Sequence, residues 1–305
     1  MQHLLSIKEL TQTQLLAIIE LAKKIKNNPT EYRRALDGKS VVMLFEKPSL
    51  RTRVSFDIGI NKLGGHCLYL DQQNGALGQR ETVADFATNI SCWADAIVAR
   101  TFSHTTIEQL AEHGSVPVIN ALSDLYHPCQ ALADFLTLSE QFDDVSKAKL
   151  AYVGDGNNVT HSLIYGAAIL GLTMTVICPE GAFPDALIVT EAQALAQKNG
   201  GKLILSADIN AIEGHDAIYT DTWISMGDDT PLADIKARFA PYQVNGELMA
   251  KAGAKYFMHC LPAHRGVEVT DEVMDGEGSL ILHQAENRMH AQNAVLVSLL
   301  SESKD

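Results

Sequence analysis

The chain has 305 residues, 46% of them hydrophobic and 20% charged, with a formal net charge of −13. That composition fits a folded chain long enough for two domains with separate cores, and it excludes disordered and fibrous classes. The acidic balance argues against nucleic acid as a partner, which requires a basic face, and no apolar run reaches the roughly 18–20 residues of a membrane span.

The N-terminal segment lacks a basic stretch followed by a sustained apolar core, so no secretory signal is expected and the cytoplasm is the expected location. The first strong element is the apolar run 41–45, read as a buried strand. It ends in the turn Glu46-Lys47-Pro48, and a helix is expected to start among Ser49, Leu50, Arg51 and Thr52. In that helix Val54 and Ile58 fall on one face, and Phe56, Ile60 and Leu63 on another. The first N–H groups of a helix have no intrahelical partner and carry the positive end of its dipole. An N-cap needs one hydroxyl and no cation, and the dipole prefers acidic neighbours. Two hydroxyls with Arg51 and Arg53 at this end therefore suit an anion, phosphate first.

Further short apolar runs at 67–70, 96–99 and 116–119 complete the first half. In the second half they stand at 150–153, 173–177, 203–205, 217–219, 256–258 and 280–282. Amphipathic stretches lie between them, including 81–89, 107–113, 131–138, 164–170 and 186–197. This alternation predicts an α/β protein of two doubly wound, parallel-sheet domains. The polar segment 143–147 reads as the hinge after a helix running from Gln130 to about Phe142, and a final helix is expected from Glu286.

Ligands of open α/β sheets sit beyond the C-terminal strand ends. The polar motifs fall there: Ser49–Arg53, Arg100, and His127 to Gln130 in the first half; Asn158, Asp221 to Gly227, and His259-Cys260-Leu261-Pro262 in the second. The turn Gly154-Asp155-Gly156 lacks the third glycine of a dinucleotide fingerprint, and its Asp would repel a pyrophosphate, so no nucleotide is expected there. Five scattered cysteines without ligand-pair spacing argue against disulfides and structural zinc. Cations and donors in one half, with groups suited to an amine in the other, describe attack of an amine on a phosphorylated acyl group.

Five motifs in order, Ser49-Leu50-Arg51-Thr52-Arg53, His127-Pro128-Cys129-Gln130, Asp221 to Gly227, His259-Cys260-Leu261-Pro262 and Gln284-Ala285-Glu286-Asn287-Arg288, resemble the aspartate/ornithine carbamoyltransferase family and, within it, the ornithine-using branch. The resemblance implies a carbamoyl phosphate-binding domain at 1–142 with the returning helix 286–305, an ornithine-binding domain at 143–285, and interdomain helices between them. It implies a homotrimer or an assembly of trimers with active sites between subunits, no metal and no organic cofactor.

Carried over, Ser49, Arg51, Thr52 and the backbone N–H of Leu50 hold the phosphate. Arg100 bridges phosphate and carbonyl oxygen, His127 donates to that oxygen, and Gln130 accepts from the carbamoyl amide. Asn158, Asp221, Ser225 and Met226 hold the amino-acid end of ornithine. Cys260, beside Leu261, meets the δ-amine, and Arg288 returns to carbamoyl phosphate. The catalytic group is then Arg51, Arg100, His127, Asp221 and Cys260. Cys129 reads as a buried small hydrophobe, and His264, His283 and His290 as bystanders.

Three positions depart from the family pattern: Leu50 for a frequent Thr, Ala76 for a Gln reaching the neighbouring subunit, with Gln79 or Arg80 as compensation, and His283 for a frequent Asp. The rival readings are aspartate, putrescine or acylated-ornithine transfer, and a catalytically weak carbamoyl phosphate-binding paralogue. An acyl-cysteine intermediate at Cys260 is the rival mechanism; direct attack is preferred because adjacent strand residues such as His259 face opposite ways.

Overall fold

The computed structural model describes residues 1–71, 77–78, 81–223 and 231–301. Ala76, Gln79, Arg80, Ser225 and Met226, all named above, lie outside the described residues. In chain order the helices are α1 (Gln12–Asn27), α2 (Pro29–Tyr32), α3 (Leu50–Lys62), α4 (Val83–Ile90), α5 (His104–His113) and α6 (Pro128–Ser139). They continue with α7 (Asn158–Leu170), α8 (Ala186–Lys198), α9 (Leu232–Phe239), α10 (Gly246–Ala252), α11 (Asp271–Met274) and α12 (Ile281–Leu300).

Residues 1–136 with 287–305 form one compact unit, and residues 137–286 the other. The division falls inside α6, six residues before the end of the expected first domain, and inside α12. Short polar stretches such as 143–147 mark where a helix stops. Contact density decides where a unit stops, and a helix can be shared along its length.

In the first unit, β1 (Ser40–Phe45), β2 (His66–Leu70), β3 (Ala96–Arg100) and β4 (Val118–Leu122) form a parallel sheet in the order β2-β1-β3-β4. The run from Val41 to Phe45 is buried throughout, as expected where helices cover both faces of a parallel sheet. On α3 the division of faces follows the sequence: Phe56, Ile60 and Leu63 are buried, while Val54 and Ile58 are exposed.

In the second unit, β5 (Lys149–Val153), β6 (Thr173–Ile177), β7 (Lys202–Ser206), β8 (Ala217–Thr220) and β9 (Tyr256–His259) form a parallel sheet ordered β7-β6-β5-β8-β9. Its core gathers Ala151, Val153, Ile218, Phe257, Val269 and Ile281. The apolar run at 280–282, expected as a strand, instead opens α12, which starts five residues earlier than expected from the motif at Glu286. Three apolar residues carry no period. Leu280 and Ile281 are buried and Leu282 is exposed, which a helical turn satisfies.

Each sheet reverses its winding once. In the first, β2 lies to one side of β1 and β3 to the other, so the switch point falls between β1 and β3. In the second it falls between β5 and β8. Both are the positions where open α/β sheets leave a crevice for a ligand.

Candidate active site

The first half-site is built at the β1/β3 switch point. Ser49 caps α3, its hydroxyl accepting from the Thr52 N–H at 3.4 Å. That hydroxyl also donates to Thr52 Oγ1 at 2.8 Å, and Arg288 Nη2 on α12 donates to the same oxygen at 2.6 Å. Both lone pairs of the buried Thr52 hydroxyl are therefore used, and its remaining capacity is to donate. Leu50 is 76% exposed, so its side chain points away from this network and only its backbone N–H is in place to serve it. Arg51 is exposed in the first turn. Arg53 departs from the expected convergence: its guanidinium stacks 3.9 Å from the Tyr69 ring, which gives it a structural partner.

Arg100 ends β3 in register with Phe45 of β1, which brings it beside the loop leading to Ser49. Its side chain is buried, Nε has no hydrogen-bond partner among the described residues, and its pKa is pushed down to about 10 by burial and then by Arg288. Lys47 joins these cations. Its pKa is lowered by burial and then by Arg100, and its Nζ lies 4.8 Å from the Phe102 ring centroid. Sequence reasoning passed over Lys47; its place in the turn directly after β1 was the available signal. Cations drawn together against their mutual repulsion and the cost of burial are a site for a multiply charged anion.

His127 precedes α6 and is buried. Burial first, then Arg288 and Arg100, hold its pKa well below 6.5, so the imidazole is neutral at physiological pH. A neutral imidazole beside two guanidiniums donates one N–H without adding charge. The sign of the linkage is fixed: below pH 6.5 the unfolded chain takes up a proton that the folded one refuses. Stability is present above pH 6.5 and falls as pH drops toward the folded pKa, by up to about 1.4 kcal/mol per pH unit for this group. His127→Asn is expected to flatten the acid side of a stability–pH curve relative to the parent, with His3 and His104, whose pKa values are also lowered, contributing equally to both. Identical slopes in urea titrations between pH 5 and 7 would refute the neutral assignment.

Gln130, on the first turn of α6, is buried and donates Nε2–H to Asp134 at 2.8 Å. Cys129 between them is a buried thiol aimed at the Asn120 carbonyl at 3.4 Å, with its pKa raised to about 12 by burial. It is a packing residue, as its apolar surroundings demand.

The second half-site stands at the β5/β8 switch point. Asn157 caps α7, its Oδ1 accepting from the N–H groups of Val159 and Thr160. Its Nδ2 then faces Asp221, donating to Oδ2 at 2.9 Å across the switch point. The neighbouring Asn158, expected to meet the amino-acid end of ornithine, is the first residue of α7, and the cap residue Asn157 is the one that holds Asp221. Gly156 is required for a different reason: a Cβ there would lie 2.2 Å from the Pro184 nitrogen.

Asp221 is buried just past β8, and its Oδ1 accepts from the Thr222 N–H at 2.8 Å and from the Cys260 thiol at 2.9 Å. β8 and β9 pair Thr220 with His259, so Asp221 and Cys260 are the next opposed residues beyond the sheet. A carboxylate offers about four acceptor positions, and three are taken, which leaves one for an amine.

Cys260 begins a turn in which Leu261 has φ +59°, an uncommon conformation for a non-glycine residue. The turn is clamped from below. His259 Nδ1 accepts from the Leu261 N–H at 2.9 Å, the His259 N–H donates to Gln284 at 2.9 Å, and His259 Nε2 lies 3.4 Å from the buried Glu268. Asp221, His259 and Cys260 offer atoms within 4.8 Å of one another, close enough for a metal ion. The only acceptor nitrogen of His259 is committed to Leu261, however, and Nε2 is turned to Glu268, so these residues fit a metal poorly. The same commitment stops His259 from taking the thiol proton, which points instead at Asp221. Cys129→Ala is expected to retain most turnover, because that thiol's hydrogen bond goes to the backbone carbonyl of Asn120, whereas Cys260→Ala is expected to lose about tenfold or more by removing a donor from Asp221. Equal losses in the two variants would reverse the assignment of the cysteines.

Comparison with known proteins places both halves. Residues 2–140 match a family model described as aspartate/ornithine carbamoyltransferase, carbamoyl-P binding domain, and residues 146–299 match the corresponding Asp/Orn binding domain. Ornithine carbamoyltransferase of Shewanella oneidensis is 81% identical over 301 residues, covering 99% of this chain and all of that one. The structure of ornithine carbamoyltransferase from Pyrococcus furiosus superposes with a TM-score of 0.95 at 44% identity, covering 100% of this chain and 98% of that one. The anabolic ornithine carbamoyltransferase from Campylobacter jejuni gives a TM-score of 0.91 at 33% identity, over 98% and 99% of the two chains.

Proposed function

The chain belongs to the aspartate/ornithine carbamoyltransferase family, and from that premise we propose how its two half-sites divide the reaction. The enzyme transfers the carbamoyl group of carbamoyl phosphate to the δ-amine of L-ornithine, giving L-citrulline and phosphate. The observation that carries the phosphate assignment is Thr52. Its hydroxyl is saturated as an acceptor by Ser49 and Arg288, so it donates, at a helix N-terminus, toward an anion that Arg51 also reaches.

Arg100 and His127 serve the carbonyl oxygen. Attack by the amine builds negative charge there and then on the departing phosphate, and fixed buried donors stabilise both without reorganising. Gln130 accepts from the carbamoyl amide. In the other unit, Asp221 and Cys260 hold the incoming amine, which must be neutral to attack, and Asn158, Ser225 and Met226 take the amino-acid end. Transfer is direct, with the substrates held in near-attack geometry.

We further infer arginine biosynthesis as its metabolic role, the cytoplasm as its location and a homotrimer as its working form. Leu50, Val54 and Ile58 support the last point: they follow one another at four-residue spacing on α3 and stand 76%, 44% and 46% exposed, an apolar stripe suited to burial against another copy. Light scattering should return three chain masses, and a single chain mass would overturn that form. Among the described residues no helix is long and apolar enough to cross a membrane.

The test of the reaction is turnover with carbamoyl phosphate and a panel of ornithine, N-acetylornithine, putrescine, lysine and aspartate. Rapid product formation with ornithine alone is expected. Preference for another acceptor would remove the roles given to Ser225 and Met226 while leaving the phosphate half intact.

A further inference from the structure

Asp134 is fully buried on α6, one helical turn after Gln130. Residues four apart on a helix share a face, which brings the two side chains together. Gln130 Nε2 donates to Asp134 Oδ1 at 2.8 Å. Gln130 Oε1 is buried and has no hydrogen-bond partner among the described residues.

An amide side chain can present either end to a ligand, and its two ends are nearly identical in shape. A carboxylate has no such choice, because it only accepts. With Asp134 on one side, the NH2 end of Gln130 must turn inward to meet it, and the oxygen must face away. We propose that Asp134 is a specificity-determining positioning residue: it locks Gln130 as a pure acceptor, and so selects an acyl phosphate that carries an N–H over one that carries a methyl group. This rests on the reading of Gln130 as the partner of the carbamoyl amide.

The selectivity follows from satisfaction of buried groups. A carbamoyl NH2 satisfies Oε1. An acetyl methyl of the same size leaves that oxygen buried and unpaired, at a cost equivalent to about 5- to 150-fold in affinity. Were the amide free to rotate, Gln130 would relax its NH2 end toward a methyl-bearing ligand or toward the carbonyl, and most of that discrimination would vanish.

The experiment compares kcat/KM for carbamoyl phosphate with the inhibition constant of acetyl phosphate, which has the same phosphate and a methyl in place of the amine. Inorganic phosphate inhibition reports on the Ser49–Thr52 network separately. Asp134→Asn, close in shape but able to donate as well as accept, should remove most of that roughly 5- to 150-fold discrimination while phosphate inhibition changes less than about twofold. Gln130→Ala should narrow it to the same degree, and Asp134→Asn added to Gln130→Ala should change nothing more, since both act through one oxygen.

Discrimination that survives Asp134→Asn and Asp134→Ala but is lost in Gln130→Ala overturns the orienting role and leaves Gln130 as the reader. Discrimination that survives Gln130→Ala removes the reading of Gln130, and this proposal with it. A general structural role for Asp134 would raise the phosphate inhibition constant and lower kcat together, with the ratio between the two acyl phosphates intact.

Discussion

Replacing Arg100 with methionine is expected to cut kcat/KM for carbamoyl phosphate by about 10²–10³-fold while leaving the fold at least as stable as before. The loss follows from position: Arg100 ends β3 at the switch point, beside the loop that leads to Ser49, where the proposed mechanism places the charge that develops on the carbonyl oxygen and phosphate. The second half of the expectation follows from its environment in the free protein. Arg100 is buried, its Nε is unpartnered among the described residues, and burial with repulsion from Arg288 lowers its pKa to about 10. Folding therefore works against this charge, and the bound anion is what repays it. Methionine keeps most of the volume and none of the charge. Thermal melting should show an unchanged or higher Tm without ligand, and a smaller upward shift than the parent when carbamoyl phosphate is added, because ligand stabilisation tracks affinity. A variant that melts well below the parent would mean that the guanidinium supports the fold, and the division between stability and function drawn here would fail.

Asp221→Asn should raise KM for ornithine by about 10- to 150-fold, the worth of a hydrogen bond to a charged group, while KM for carbamoyl phosphate stays within about threefold. Asp221 serves only the second half-site: its partners are the Thr222 N–H, the Cys260 thiol and Asn157. The asparagine can keep Oδ1 toward Thr222 and Cys260. Its Nδ2 then confronts the Nδ2 of Asn157, which cannot turn over, because its own oxygen caps α7. Two donors face to face should cost about 1–3 kcal/mol of stability in that unit. Asn157→Asp in the same chain restores an acceptor opposite the donor, and should recover stability without recovering ornithine affinity. Equal rises in both KM values would refute the assignment of anion and amine to separate units.

The two rarer conformational features of the chain bear on these results differently. The φ of +59° at Leu261 sits in the turn that sets Cys260 against Asp221, and the turn is held by His259, Gln284 and Glu268, all buried. Such conformations persist only where the surroundings over-determine them, and they gather at functional sites. Gly156, in contrast, answers to packing: the backbone of Phe183 and Pro184 fills the space a side chain would need.

The sequence by itself determined the α/β class, the strands at β1, β5 and β6 almost to the residue, the start of α3 at Ser49, and the motifs that carry the chemistry. These are local matters. Apolar runs bounded by turn residues, hydroxyl caps and helical periodicity act over a few residues, so they are written in the order of the chain. The tertiary structure alone decided the order β2-β1-β3-β4 and β7-β6-β5-β8-β9, and hence that Arg100 lies beside Phe45 at the end of β1 and that Asp221 meets both Asn157 and Cys260. It also turned the run at 280–282 into a helix start and gave Arg53 to Tyr69. Which strand lies beside which, and which side chain meets Asp221, depends on contacts among residues tens to hundreds of positions apart. No window on the sequence contains both partners, so only the packed chain brings them within hydrogen-bonding distance.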